Sequence, residues 1–206
     1  MLILSFPPAE FSFFTWISLI PLFLALKNKN IKCAFWLSYF WGLIFWGCLL
    51  SWLTKVTFLG YIFLVLYLAI YSGILGIFIA CHFLIIIPFL WVILEYLRTH
   101  LFTGFGWALL GYSQYKNLPL IQIADITGAY GVSFLIVLVN LVIYLRVSSS
   151  VGPKKKKSFS TFFFLLFSTL FLLSLCIIYG YFKIHSLTRI PQNMPIRLSL
   201  IQPNIS

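Results

Sequence analysis

Between Cys33 and Leu97 the chain runs through three long apolar stretches interrupted by just two formal charges, Lys55 and Glu95. A stretch of about 20 apolar residues in helical form spans a hydrocarbon core about 30 Å thick. Further runs of this kind lie on either side. They cover residues 11–26, 33–54, 56–79, 81–97, 126–145 and 159–182, which predicts an all-α integral membrane bundle of about six spans. The runs at 11–26 and 81–97 are short for a full crossing.

Composition agrees. The 206 residues are 62% hydrophobic and 8% charged, where a soluble domain carries about a quarter charged residues. The 23 Phe, 11 Tyr and 7 Trp suit helices whose rings lie at the headgroup level. A net charge of +11 could suggest nucleic acid, but the basic residues sit between apolar runs and no recognition motif accompanies them. Loop charges facing anionic lipid account for them, and no nucleic-acid partner is expected. Cys33, Cys48, Cys81 and Cys176 fall inside apolar stretches without a C-x-x-C pair, so neither zinc nor a redox couple is indicated. The opening residues lack a basic segment, and Pro7-Pro8 breaks their apolar run, unlike a signal peptide.

Orientation follows the lysines and arginines. Lys27, Lys29 and Lys32 fill the first loop, and Arg146 with Lys154 to Lys157 fills the loop before the last run. With six spans both loops share the cytoplasmic side, and the tail from Lys183 lies outside. Residues 148–158 (SSSVGPKKKKS) read as a solvated linker. Ala69, Ser72, Gly73, Gly76 and Ala80 set small residues at helical spacing, which lets helix backbones approach closely in lipid.

The acids are Glu10, Glu95 and Asp125. A charge at membrane depth is costly and often functional, which singles out Glu95. On a helix Trp91, Glu95 and Arg98 share a face, so Glu95 and Arg98 can pair directly. That pair reads either as a polar site for a lipid headgroup or as a structural ion pair at a helix end. The next stretch, residues 101–134, interleaves Gly104, Gly106, Gly111, Gly128 and Gly131 with Trp107, Tyr112, Gln114 and Asp125. Irregular backbone at membrane depth needs protein or a water-filled cavity against it. A re-entrant or interfacial segment over the bundle fits, either holding a ligand or serving as a structural lid.

Catalytic constellations are thin. Cys81 and His82 are neighbours that point to different helix faces. A triad of Ser133, His100 and Asp125 has nothing to support its geometry. No paired carboxylates, metal-ligand spacing or phosphate loop occur, and no cofactor is expected.

The segments SFPP, LWVILEYLRTHLFTGFGWALLGYSQ, PLIQIADITGAYGVSFLIVLVN and IRLSLIQPNI, in this order, resemble bacterial apolipoprotein N-acyltransferases along essentially the whole chain. Gly106 departs from the usual T-G-F-P-W of that family. The resemblance implies a membrane bundle carrying an extracytoplasmic nitrilase-like domain, whose first strand residues 196–206 resemble. The alternation of Ile196, Leu198 and Leu200 with Arg197 and Ser199 is itself a strand pattern. Residues 1–190 are then a polytopic membrane domain, and residues 191–206 start a nitrilase-like domain truncated here.

The activity implied is acyl transfer from a phospholipid donor to the N-terminal cysteine amine of a diacylglyceryl apolipoprotein, in the bacterial cytoplasmic (inner) membrane. The mechanism implied is ping-pong through a Cys thioester, with a Glu base and a Lys at the oxyanion. None of these three has a counterpart among residues 1–206, so the chain alone is expected to be inactive. Lipid substrates would meet Glu95, Arg98, Thr103, Gly104, Trp107, Gly111, Tyr112 and Gln114. The competing readings are a non-enzymatic module binding lipid or a partner chain, and a small transporter. Sparse intramembrane charge and the absence of an evident inverted repeat weigh against the transporter.

Overall fold

The computed structural model describes residues 1–102, 104–150 and 157–188. Seven α-helices are found among them: α1 Ile20–Leu26, α2 Ile31–Leu49, α3 Phe58–Ala80, α4 Ile87–His100, α5 Leu118–Ile121, α6 Ala124–Ser150 and α7 Lys157–Thr188. Four segments are long and apolar enough to cross a membrane: Ile31–Leu49, Phe58–Ala80, Ala124–Ser148 and Phe162–Ser186. The strand pattern at 196–206, the domain start at 191 and Thr103 lie outside the described residues.

The two short runs fold differently from the long ones, and proline explains both. Pro21 and Pro88 sit in the first turns of α1 and α4, where a missing N–H and a fixed φ do no harm. The run at 11–26 therefore divides into a 3-10 turn, Ser12–Trp16, and the short helix α1. The run expected at 81–97 instead turns at His82, whose φ is +62°, and its helix starts only at Ile87. At 14 residues α4 reaches about 21 Å, short of a full hydrocarbon core.

The break ahead of α1 frees backbone groups in the interior of the bundle. Asn140 of α6 meets them: its Oδ1 accepts from Leu19 N–H at 3.0 Å and its Nδ2 donates to the Thr15 carbonyl at 2.9 Å. Interrupted helices are tolerated in lipid when a neighbour supplies such partners. Asn140 is fully buried, as are Leu19, Phe23 and Leu26 around it.

Helix α6 is the central element, packed against α1, α4, α5 and α7. Ile136, Val137 and Leu141 have no exposure, and Gly128 (φ +65°) sets a sharp break between its first turn and the long helix. Helices α2 and α3 form a close pair through their small residues. A Cβ on Gly42 would come within 2.6 Å of Ser72 Oγ, and one on Gly73 within 2.6 Å of the Phe35 ring. The small-residue series expected on α3 is thus the contact face with α2.

Polar contacts mark the two ends of the bundle. Lys27 Nζ donates to the Ser148 carbonyl at 3.1 Å, which brings the first basic loop and the end of α6 together. At the opposite end, Lys116 pairs with Glu10, and Lys183 pairs with Asp125 at 2.7 Å.

Candidate functional site: a buried clamp on an interfacial loop

Helix α4 presents Trp91, Glu95 and Arg98 to one cavity, as their spacing predicts. Glu95 is 5% exposed and Arg98 3%. The direct ion pair expected between them is absent among the described residues. Glu95 Oε1 instead accepts from Leu110 N–H at 2.7 Å. Arg98 Nη1 donates to the carbonyls of Phe105 and Trp107, at 3.1 and 2.7 Å. The physical reason is backbone supply. The segment from Phe105 to Leu110 has no helical partners, and an unpaired buried backbone group costs as much as a lost hydrogen bond. The carboxylate takes the orphan donor and the guanidinium takes the orphan acceptors, as charge-assisted bonds.

The clamp fixes the path of the loop. Phe105 N–H donates back to the Arg98 carbonyl at 2.8 Å, and the Arg98 guanidinium lies 4.7 Å from the centroid of the Trp46 ring. Gly104 (φ +71°) takes the left-handed conformation, and a Cβ there would strike the Thr99 carbonyl. Trp107 comes out on the surface, 59% exposed, and stacks on Trp52 at 5.1 Å.

The loop then re-enters as a buried 3-10 turn, Leu110–Gln114. Gly111 donates to Ser133 Oγ at 2.9 Å and lies so close to the Ala129 carbonyl that no side chain fits. Gln114, 2% exposed, accepts from Trp16 Nε1 at 3.2 Å and donates to the Ser12 carbonyl at 2.9 Å. Ser113 accepts from Thr15 at 3.0 Å. The residues singled out in the sequence are therefore sorted in depth. Glu95, Arg98, Gly111 and Gln114 are interior and committed to the protein's own backbone and side chains. Trp107 and Tyr112 (48% exposed) face outward.

Two spaces adjoin the clamp. One is a partly open pocket of about 50 Å³ bounded by Trp46, Tyr71, Trp91, Glu95 and Arg98 among others. The other is a wider cleft of about 390 Å³ between α3 and the loop, lined by Phe63, Leu64, Tyr67, Leu101, Phe102 and Phe105. Apart from the Tyr67 hydroxyl its side-chain walls are apolar, so it suits hydrocarbon.

At the rim Glu10 receives both the Lys116 ammonium and the Tyr115 hydroxyl. These bonds hold the Glu10 carboxyl below its ordinary value and raise Lys116 and Tyr115 above theirs.

The other candidate constellations do not assemble. His82 Nδ1 lies against the Ala80 carbonyl at 2.8 Å, away from any nucleophile pairing with Cys81. Ser133 serves Gly111, His100 Nδ1 lies 2.8 Å from the Tyr96 carbonyl, and Asp125 accepts from Tyr179 at 2.7 Å. Among the described residues no group of three His, Cys, Asp or Glu side chains could hold a metal. Sequence reasoning missed Trp46, Tyr71 and Asn140. Asn140 was findable as the lone amide in the apolar run FLIVLVNLVIYL; Trp46 and Tyr71 resemble any other aromatic of their helices.

A helical bundle with four segments long and apolar enough to cross a membrane, and a loop pinned by buried charge, is the fold of a polytopic membrane protein. The family profile of the apolipoprotein N-acyltransferase N-terminal domain matches residues 1–142. The apolipoprotein N-acyltransferase of Geobacter metallireducens is 39% identical, over 100% of this chain and 42% of its own length. That of Pasteurella multocida is 30% identical over 74% of this chain and 32% of its own. That of Coxiella burnetii is 38% identical over 57% of this chain and 22% of its own. The chain belongs to the apolipoprotein N-acyltransferase family and spans less than half the length of these curated relatives.

Proposed function

We propose that this chain is the membrane portion of an apolipoprotein N-acyltransferase, which holds the lipid-bearing substrates while a nitrilase-like portion performs acyl transfer. The observation that carries this reading is the 39% identity to a named N-acyltransferase along the whole chain. Residues 191–206 open the nitrilase-like portion, and residues 1–190 form the membrane domain. The acyl group moves from a phospholipid to the N-terminal amine of a diacylglyceryl-cysteine apolipoprotein. The Cys, Glu and Lys of the thioester mechanism belong to the nitrilase-like portion.

Within this chain the work is positioning. Both substrates carry acyl chains, so they reach the site sideways from the bilayer. The apolar cleft between α3 and the loop offers the chains a wall, and Trp107 and Tyr112 stand at the rim where headgroups lie. Glu95, Arg98, Gly104, Gly111 and Gln114 act from beneath by fixing the loop. The end carrying Lys27 and Arg146 faces the cytoplasm of a bacterial inner membrane. The end carrying Glu10, Lys116 and Lys183, and the tail after it, faces outward.

The test is reconstitution. Membranes holding this chain together with the nitrilase-like portion of the Geobacter metallireducens relative are given phosphatidylethanolamine and a diacylglyceryl lipopeptide. N-acylated peptide is expected by mass spectrometry from the pair and none from this chain alone. Two accumulated partners with no product would overturn the reading in favour of a lipid- or partner-binding module.

A further inference from the structure

The pocket beneath the clamp has its own unmet chemistry. Glu95 commits Oε1 to Leu110, but its Oε2 is screened from solvent and has no protein hydrogen bond. Trp91 Nε1, on the same wall, is likewise screened, and it approaches the Glu95 carboxyl without completing a hydrogen bond to it. Leaving a buried polar group unmatched costs about 1–3 kcal/mol, and more for a charged one. An acceptor and a donor facing one space are therefore two reasons for that space to be filled.

We propose that this cavity is a hydration site, in which ordered water donates to Glu95 Oε2 and accepts from Trp91 Nε1. Size and charge select the occupant. Each water needs at least about 10–15 Å³ of such space, so a pocket of about 50 Å³ takes a few waters. Glu95 repels an anion and Arg98 repels a cation, so the guest is a neutral molecule with both a donor and an acceptor. Water satisfies both conditions. Tyr71 stands on the same wall and shares a 2.5 Å hydroxyl contact with Tyr67, which lines the outer cleft. The hydrated site thus adjoins a polar link through α3 toward the lipid-facing side.

The experiment is water-selective proton NMR on the full chain, ¹⁵N-labelled at tryptophan, in lipid nanodiscs. The Trp91 indole resonance is identified as the signal lost in Trp91→Phe. Should that variant not accumulate, the indole is assigned by elimination, through Trp→Phe replacements at the six other tryptophans of the seven. A cross-peak between the Trp91 indole proton and long-lived water is expected, and Glu95→Gln, which keeps an acceptor, retains it. An indole proton that shows contacts to protein protons alone would overturn the proposal.

Discussion

The molecule contains two kinds of carboxylate site, and they differ in what the charge holds. At the rim, Glu10 pairs with Lys116 and Tyr115, joining side chains across water-accessible surface. Under the loop, Glu95 and Arg98 are buried and bypass each other to bind main-chain groups. Exposed ion pairs contribute little because solvent screens them. A buried charge stripped of its partner is another matter, since nothing replaces the lost hydrogen bond. The rim clasp therefore trims the geometry of its own end of the bundle, while the clamp decides whether the loop exists in this form at all.

Four substitutions would break or sharpen this contrast. Glu95→Ala orphans the Leu110 N–H and leaves the Arg98 charge buried without its counter-charge. A loss of about 3–5 kcal/mol is expected, seen as a large drop in the thermal midpoint in nanodiscs, with Glu95→Gln recovering much of it. Asn140→Leu frees the Leu19 N–H and the Thr15 carbonyl and should cost about 1–3 kcal/mol. Equal midpoints for Asn140→Leu and the parent would show that the break before α1 needs no partner. Gly106→Pro restores the residue usual in the family. The position has an unstrained φ, and a Cβ there meets Thr99 at an ordinary 3.4 Å. A gain of about 0.4–1 kcal/mol is expected from a stiffer unfolded chain, and a loss would show that the loop needs glycine there.

Lys116→Ala should shift the midpoint least of the four. The rim clasp also has a pH signature. The Glu10 carboxyl is depressed in the folded state, so its contribution is complete above its unfolded value and fades as pH falls through the folded one. Lys116 is raised, so its contribution persists until pH climbs beyond the ordinary lysine range. Comparing parent and Lys116→Ala midpoints across pH 3 to 7 should show the two curves merging at the acid end.

Much of this was legible in the sequence, for identifiable reasons. Helices α2, α3, α6 and α7 follow from uninterrupted apolar length, and the α2–α3 contact from Ala69, Gly73 and Gly76. The shared face of Trp91, Glu95 and Arg98 follows from helical spacing. Their partners do not, because Leu110 N–H and the Phe105 and Trp107 carbonyls are main-chain groups that every residue carries. Sequence shows which side chains can bond, and leaves open whether a neighbouring charge or a stranded peptide group is met first. The runs read at 11–26 and 81–97 pass through Pro21 and Pro88, so the breaks beside those prolines came from the structure. The capacity of Asn140 to repair one of them depended on a contact 121 residues distant.

The central claim is that Glu95 holds the loop through the Leu110 amide. Amide hydrogen exchange at Leu110, measured in nanodiscs for the parent and for Glu95→Ala, tests it most directly. Slow exchange in the parent is predicted, rising on the order of a hundredfold in the variant, the equivalent of about 3 kcal/mol. Amides in the middle of α3 should change far less. A Leu110 amide that exchanges at the same rate in both proteins would contradict the clamp.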